Sequence, residues 1–251
     1  MISVIIIFFL AHWYLSLFCQ TFFLHRYAAH SMFTISPGWE RVFYLITMSA
    51  QGSSFLVPRA YAVLHRMHHA YSDTEKDPHS PYFFKDIFGM MWNTKIIYSN
   101  LVSRNNLYEK RFHNHLPEWK AVDRLGDSWF SRIAWGAVYT LFYIIFAPSA
   151  WFFLLLPVHF LMGPIHGALV NWCGHKYGYR NFGTHDHSRN TFTWDFLLFG
   201  ELFQNNHHQY PARPNFAVRW YEADFAFFVI KMLAGLNIIQ INRAVAQKQA
   251  A

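Results

Sequence analysis

The chain has 251 residues, of which 53% are hydrophobic, 20% aromatic and only 14% charged; a soluble domain carries about 25% charged residues. The length suits one substantial domain, and the apolar residues come in runs, which is the pattern of a chain that crosses a membrane. Net charge is +7, yet no basic stripe with interleaved aromatics occurs, so nucleic acid is not an expected partner. The two cysteines, Cys19 and Cys173, lie in apolar stretches without a CxxC, which excludes a zinc ribbon, a self-contained iron–sulfur cluster and a disulfide framework.

Residues 1–24 contain no Asp, Glu, Lys or Arg, and that length can span a bilayer. A cleaved signal peptide competes with this reading, but no basic n-region and no small-residue cleavage site precede His25. Residues 42–57 are apolar but short and broken by Gln51-Gly52-Ser53-Ser54; an interfacial or re-entrant segment is expected there. Residues 133–174 are again free of those charges, with Ala147-Pro148-Ser149 near the middle. They predict a helical hairpin of two spans, 133–147 and 150–174, with Pro157 and Pro164 as kinks in the second. A last amphipathic stretch, 221–239, contains Lys231 and is expected on the membrane surface.

The charges gather in 58–132 and 175–220. Lys and Arg are abundant there and absent from the turn at 147–149, so those regions should face the cytoplasm, in a bacterium at the inner membrane, with the turn on the other side. The expected fold is all-α and integral to the membrane: a single domain over 1–251 with about three transmembrane helices, interfacial helices and a histidine-rich cytoplasmic cap.

The histidines are concentrated in those polar regions. HRYAAH runs from His25 to His30, HRMHH from His65 to His69, and QNNHH ends at His207 and His208; His175 sits in NWCGHKYG. His65, His68 and His69 fall at i, i+3 and i+4, so on a helix three imidazoles share one face. Gln204, His207 and His208 repeat that spacing, and Asn171 and His175 are an i, i+4 pair. His25, His30, His65, His68, His69, His175, His207 and His208 make eight imidazoles, too many for one metal of about four ligands. A pair of irons that activates O₂ at a membrane face fits that count, iron being argued from ligand type and task.

Asp73, Asp77 and Asp186 are candidates to orient ligand imidazoles, or else serve as turn residues. Tyr71 and His79 are left unassigned. His12, His159 and His166 lie inside apolar spans, where an ionisable residue is a functional candidate or a neutral His bonded to a neighbouring helix. His159 and His166 are seven apart, so on one helix they would share a face and could line an acyl tunnel. The pairs His113/His115 and His185/His187 read as solvated loops.

These boxes, with DTEKDPHSP directly after the second, NWCGHKYGYRNF, and DHSRN followed by GELFQNNHHQYP, resemble the membrane fatty acid desaturases, and within them the acyl-CoA Δ9, stearoyl-CoA desaturase-like branch. The resemblance runs from about Thr21 to Ile239. It implies that the eight box histidines are the metal ligands and that Asn171 acts through a water. It places Gln204 where this branch usually has His, although front-end desaturases carry Gln there. It also implies four spans, of which three are placed here. The implied reaction uses O₂ and two electrons to turn a lipid acyl chain into a cis alkene. No flavin or dinucleotide fingerprint, haem domain or iron–sulfur cysteine set occurs, so electrons are expected from a ferredoxin, rubredoxin or cytochrome b5-like partner. A membrane lipid hydroxylase on the same frame is the alternative. A histidine-rich metal transporter fits less well, because its ligands would sit near the bilayer midplane.

Overall fold

A computed structural model describes residues 1–104 and 109–242, and the chain in it is predominantly helical. Helix α1 spans Ile2–Cys19 and runs without a break into a π-helix over Gln20–Ala29. The first apolar helix is therefore 28 residues long, rather than ending at residue 24, and it carries His25 and Arg26 inside it. Strand β1 (Phe33–Ile35) follows, then α2 (Pro37–Gln51) with a 3-10 turn at Gly52–Ser54, and α3 (Pro58–Tyr71). Both α2 and α3 open on a proline, whose missing N–H costs nothing in a first turn.

Helix α4 (Ile87–Ser103) starts at Asp86, whose carboxylate accepts from the Gly89 N–H at 2.8 Å. The short α5 (Lys120–Gly126) leads into α6 (Trp129–Phe146), capped by Ser128. After a 3-10 segment at Ala150–Leu155 come α7 (Leu156–Phe160) and α8 (Met162–Lys176). Then follow β2 (Trp194–Asp195), α9 (Gln204–Gln209), β3 (Ala223–Asp224), α10 (Phe225–Gly235) and β4 (Ile239–Ile241). The strands only staple the chain: β1 pairs antiparallel with β4, and β2 parallel with β3.

Two helices, Ile2–Ala29 and Trp129–Phe146, are long and apolar enough to cross a membrane. The third candidate is not one straight span. Ala150–Phe160 and Met162–Lys176 meet at 72°. Pro164 gives the reason: its ring collides with the carbonyl four residues back, that of Phe160, where the helix stops. Gly163 then lets the Gly52–Ser54 turn nest in the bend, where its N–H donates to Ser54 Oγ at 3.0 Å. The break also undoes the expectation that His159 and His166 share a helix face, since they stand on α7 and α8.

The 42–57 segment is α2 with its 3-10 turn, packed on α1. Within 221–239 only α10 is helical, with β3 ahead of it and β4 beginning at Ile239. Apolar side chains such as Ile6, Ile7, Leu10, Ile133, Leu141 and Ile144 point outward from the long helices, as lipid-facing residues do. The principal core lies at the other end of α1, where Phe22, Phe23, Phe33, Tyr44, Phe55 and Val63 are buried beneath the histidine boxes.

Candidate metal centre

The π-helix, α3, the end of α8 and α9 converge at one end of the apolar bundle, and each brings its box. His25, His30, His65, His69 and His207 each offer a nitrogen to one locus, and these atoms lie within 4.8 Å of one another. His30 Nε2 is 2.8 Å from His65 Nε2, and His207 Nε2 is 3.0 Å from His25 Nε2 and 2.9 Å from His69 Nε2. A second group within the same limit is His68, His175 and His208. The i, i+3, i+4 spacing thus sorts its ligands: His65 and His69, one turn apart, face the first locus while His68 faces the second. On α9 the neighbours His207 and His208 divide in the same way.

Carboxylates hold the far side of four rings. His68 Nδ1 donates to Asp77 at 3.0 Å, His175 Nδ1 to Asp73 at 2.9 Å and His208 Nδ1 to Asp186 at 2.5 Å. In the first group His25 Nδ1 donates to Glu201 at 2.5 Å. An Nδ1 that keeps its proton leaves Nε2 as a bare lone pair. The Nε2 atoms of His68, His175 and His208 are buried and find no partner among the described residues, and five crowded nitrogens cannot all be satisfied by one another's protons. Buried lone pairs converging on a point are costly unless a cation sits there. The residues present therefore fit metal at both loci.

Burial, then the neighbouring imidazoles, pushes His30, His65, His69 and His207 well below the ordinary histidine value, and His208 down to about 4. These rings are neutral donors at pH 7, the form that binds metal. His68 differs: burial lowers it, but Asp77, with Asp73 and Asp186 behind, outweighs burial and raises it. Burial likewise pushes Asp77 and Asp186 up, and their histidines hold them well below the usual carboxylate range.

Asn171 lies one turn before His175, and its Nδ2 donates to the Gly167 carbonyl at 2.8 Å. Gln204 is buried at the start of α9, one turn before His207 and His208, and its Nε2 donates to the Glu201 carbonyl at 2.7 Å. Its side chain lies flat on Gly174, so close that a Cβ at Gly174 would overlap it. Gly174→Ala should therefore force α9 off α8 and destabilise the protein by about 1–3 kcal/mol. Thermal unfolding of the purified protein checks this, and an unchanged midpoint would show that the contact yields freely.

The two asparagines inside QNNHH anchor α9. Asn205 accepts from the Asn181 and Phe182 N–H groups at 2.8 Å, and Asn206 donates to Phe216 O and Glu222, both at 2.9 Å. Sequence reasoning missed Glu201, although a lone acid in the apolar run FLLFGELF was a visible signal. Asp195 shapes the turn that presents it, accepting from the N–H groups of Leu198, Gly200 and Leu202. His79, which the sequence left unassigned, is buried with its ring centroid 4.4 Å from that of His68 and both nitrogens unpartnered among the described residues. His185 and His187 join neither group, although the His187 N–H donates to Asp73.

His12 and His159 bond each other within the apolar bundle, Nδ1 to Nδ1 at 2.6 Å, and His159 Nε2 meets the Tyr143 hydroxyl at 2.9 Å. His159 thus makes a polar contact between helices, as the competing reading expects of a neutral His bonded to a neighbouring helix. His166 is buried against Trp13, its rings 4.5 Å apart.

Fold and site together define a helical membrane protein whose polar end is built to hold metal. The family model described as "Fatty acid desaturase" matches residues 2–232, and the chain belongs to the fatty acid desaturase family. It is 28% identical over 221 residues to the sn-1 stearoyl-lipid 9-desaturase of Synechocystis sp., covering 85% of this chain and 64% of that protein. It is 28% identical over 230 residues to the protein of the same name from Anabaena variabilis, covering 90% and 78%. A hex-5-enoyl-[acyl-carrier protein] acetylenase of Moorena producens is 27% identical over 258 residues, covering 90% and 73%.

Proposed function

We propose that this chain is an O₂-dependent di-iron desaturase that introduces a cis double bond into a lipid acyl chain, Δ9-type, on acyl-CoA or a membrane lipid. One observation carries the reading: eight imidazoles in two converging groups, backed by carboxylates, at the end of apolar helices. His25, His30, His65, His69 and His207 would hold one iron, and His68, His175 and His208 the other, with Asn171 acting through a water. The names of the relatives favour a glycerolipid-bound stearoyl chain over the CoA thioester.

An alkyl C–H bond has no acidic proton and no leaving group, so side-chain acid–base chemistry cannot break it. Bound iron with O₂ supplies that oxidising power. The chain's own residues do the rest. Asp73, Asp77, Asp186 and Glu201 keep the Nδ1 protons and aim each Nε2 inward. The buried Phe216 ring, its centroid 4.4 Å from that of His207 and 5.5 Å from that of His25, excludes bulk water from the first group, and the apolar helices present the substrate from the bilayer.

Expression in a host of known lipid profile, followed by gas chromatography–mass spectrometry, tests the reaction. A new monoene supports it, a hydroxy acid would replace it with a hydroxylase, and neither product would overturn both. Metal analysis should give two irons per chain; a single tightly bound zinc would end the di-iron reading. Electrons would come from a ferredoxin, rubredoxin or cytochrome b5-like protein, with the basic surface favouring an acidic donor. Turnover with O₂ and NAD(P)H alone would contradict this.

The histidine end would face the cytoplasm of a bacterial inner membrane, with an odd number of spans and the N-terminus outside. A cysteine placed at Ser149 should then react with an impermeant reagent in intact cells. Reaction only after permeabilisation would reverse the topology.

A further inference from the structure

Polar side chains form a line through the apolar half of the molecule. At the surface, Asp127 and Arg132 pair at 2.6 Å and are 31% and 30% exposed. Arg132 Nη1 also donates to the Ser53 carbonyl at 3.1 Å. Beside Ser53, Gly52 has φ +52°, and the Tyr139 hydroxyl occupies the space that a Cβ there would need. That hydroxyl lies 3.4 Å from His12 Nε2, and His12 leads on to His159 and Tyr143.

From His12 the line follows α1. Ser16 and Gln20 come four and eight residues on, so the three groups share one stripe. Ser16 Oγ, Gln20 Oε1 and both ring nitrogens of His166 on α8 are buried and find no partner among the described residues. Gln20 lies beside the Tyr61 hydroxyl, and the Tyr61 ring stacks on His65 at 6.0 Å and 5°. His65 belongs to the five-nitrogen group. Unpartnered donors and acceptors are costly in a membrane interior. The methylenes of an acyl chain offer them no hydrogen bond, whereas water offers both a donor and an acceptor.

We infer that this line is a hydrated conduit that brings protons from the Asp127–Arg132 surface to the metal centre and lets water out. The inference rests on the desaturase reading, because that reaction creates the need. Reducing O₂ to two waters takes four electrons and four protons. The –CH2–CH2– unit supplies two of each as it becomes –CH=CH–. The external donor protein supplies the other two electrons, and solvent must supply the other two protons.

Radiolytic hydroxyl labelling of the wild-type protein in lipid nanodiscs reports bound water without turnover. His12, Trp13 and His166 should be oxidised, and their complete protection would overturn the conduit. In a host where the wild type makes its monoene, Gln20→Leu should keep its iron and KM. Its kcat should fall on the order of tenfold, with a larger solvent deuterium isotope effect. Gln20→Asn should recover most of the rate, and Ser16→Val should repeat the Gln20→Leu defect if that variant does not fold. A wild-type rate and isotope effect in these variants, or iron loss in proportion to the rate loss, would overturn the conduit. No alkene from the wild type would instead remove the desaturase reading, and the labelling result would be unaffected by it.

Discussion

Glu201→Gln should lower iron content at the five-histidine locus, and activity with it, on the order of 10- to 100-fold. Glu201 is buried and accepts from His25 Nδ1 at 2.5 Å and from the Thr21 hydroxyl. Among the described residues it is the one carboxylate bonded to that group, against three on the other. The amide keeps shape and volume but removes the negative charge that makes His25 a strong donor. Half of the iron should be lost first, and the spectroscopic signal of the remaining iron should survive. Equal loss from both loci would show that Glu201 supports the fold and not one metal position. Wild-type iron content would show that His25 needs no anion behind it.

The second large effect is on stability. Arg26 is fully buried, its Nη2 2.8 Å from Asp224 and its Nη1 3.4 Å from Glu201, with the guanidinium 4.0 Å over the Phe216 ring. Arg26→Met would leave two buried carboxylates facing each other without a cation. Removing one partner of such a set costs about 3–5 kcal/mol. Thermal unfolding in detergent should show a much lower midpoint for Arg26→Met, with partial recovery in Arg26→Met/Asp224→Leu. Asp224 also accepts from the Phe216 and Phe227 N–H groups, at 2.8 and 3.1 Å, so recovery will be incomplete. An Arg26→Met midpoint equal to wild type would show that water reaches the cluster.

The histidine pattern was legible because helix periodicity is local. HRMHH placed three rings on one face, and the structure divides that face between two loci. The aspartates were legible as candidates because they sit near the boxes in the chain, and in the structure each pairs with a ring. Glu201 was not, because what makes it matter is contact with His25, 176 residues away. The π-helix was hidden for a similar reason: QTFFLHRYAA carries no local mark of a widened turn, and packing against α3 holds it. The bend at Leu161 was half visible. Pro164 was noted as a kink, but a 72° turn depends on the Gly52–Ser54 turn filling its inside. Helix α4 was overlooked because its apolar residues follow no long run, although Asp86 before Ile87 was a readable cap. Gln204 was expected at the metal through its amide oxygen, from helical spacing and from the family resemblance; in the structure its amide nitrogen donates to a backbone carbonyl, which leaves the oxygen uncommitted by that bond.

The division of neighbouring residues between the two loci has a consequence for biogenesis. His68 and His69 are placed by one helix, His207 and His208 by another, and neither locus is complete without both pairs. As the chain leaves the ribosome, α1, α6 and α8 emerge and can enter the bilayer before the closing pair exists. Both positions therefore become available to metal in one closing event, when α9 docks on the helices already in place.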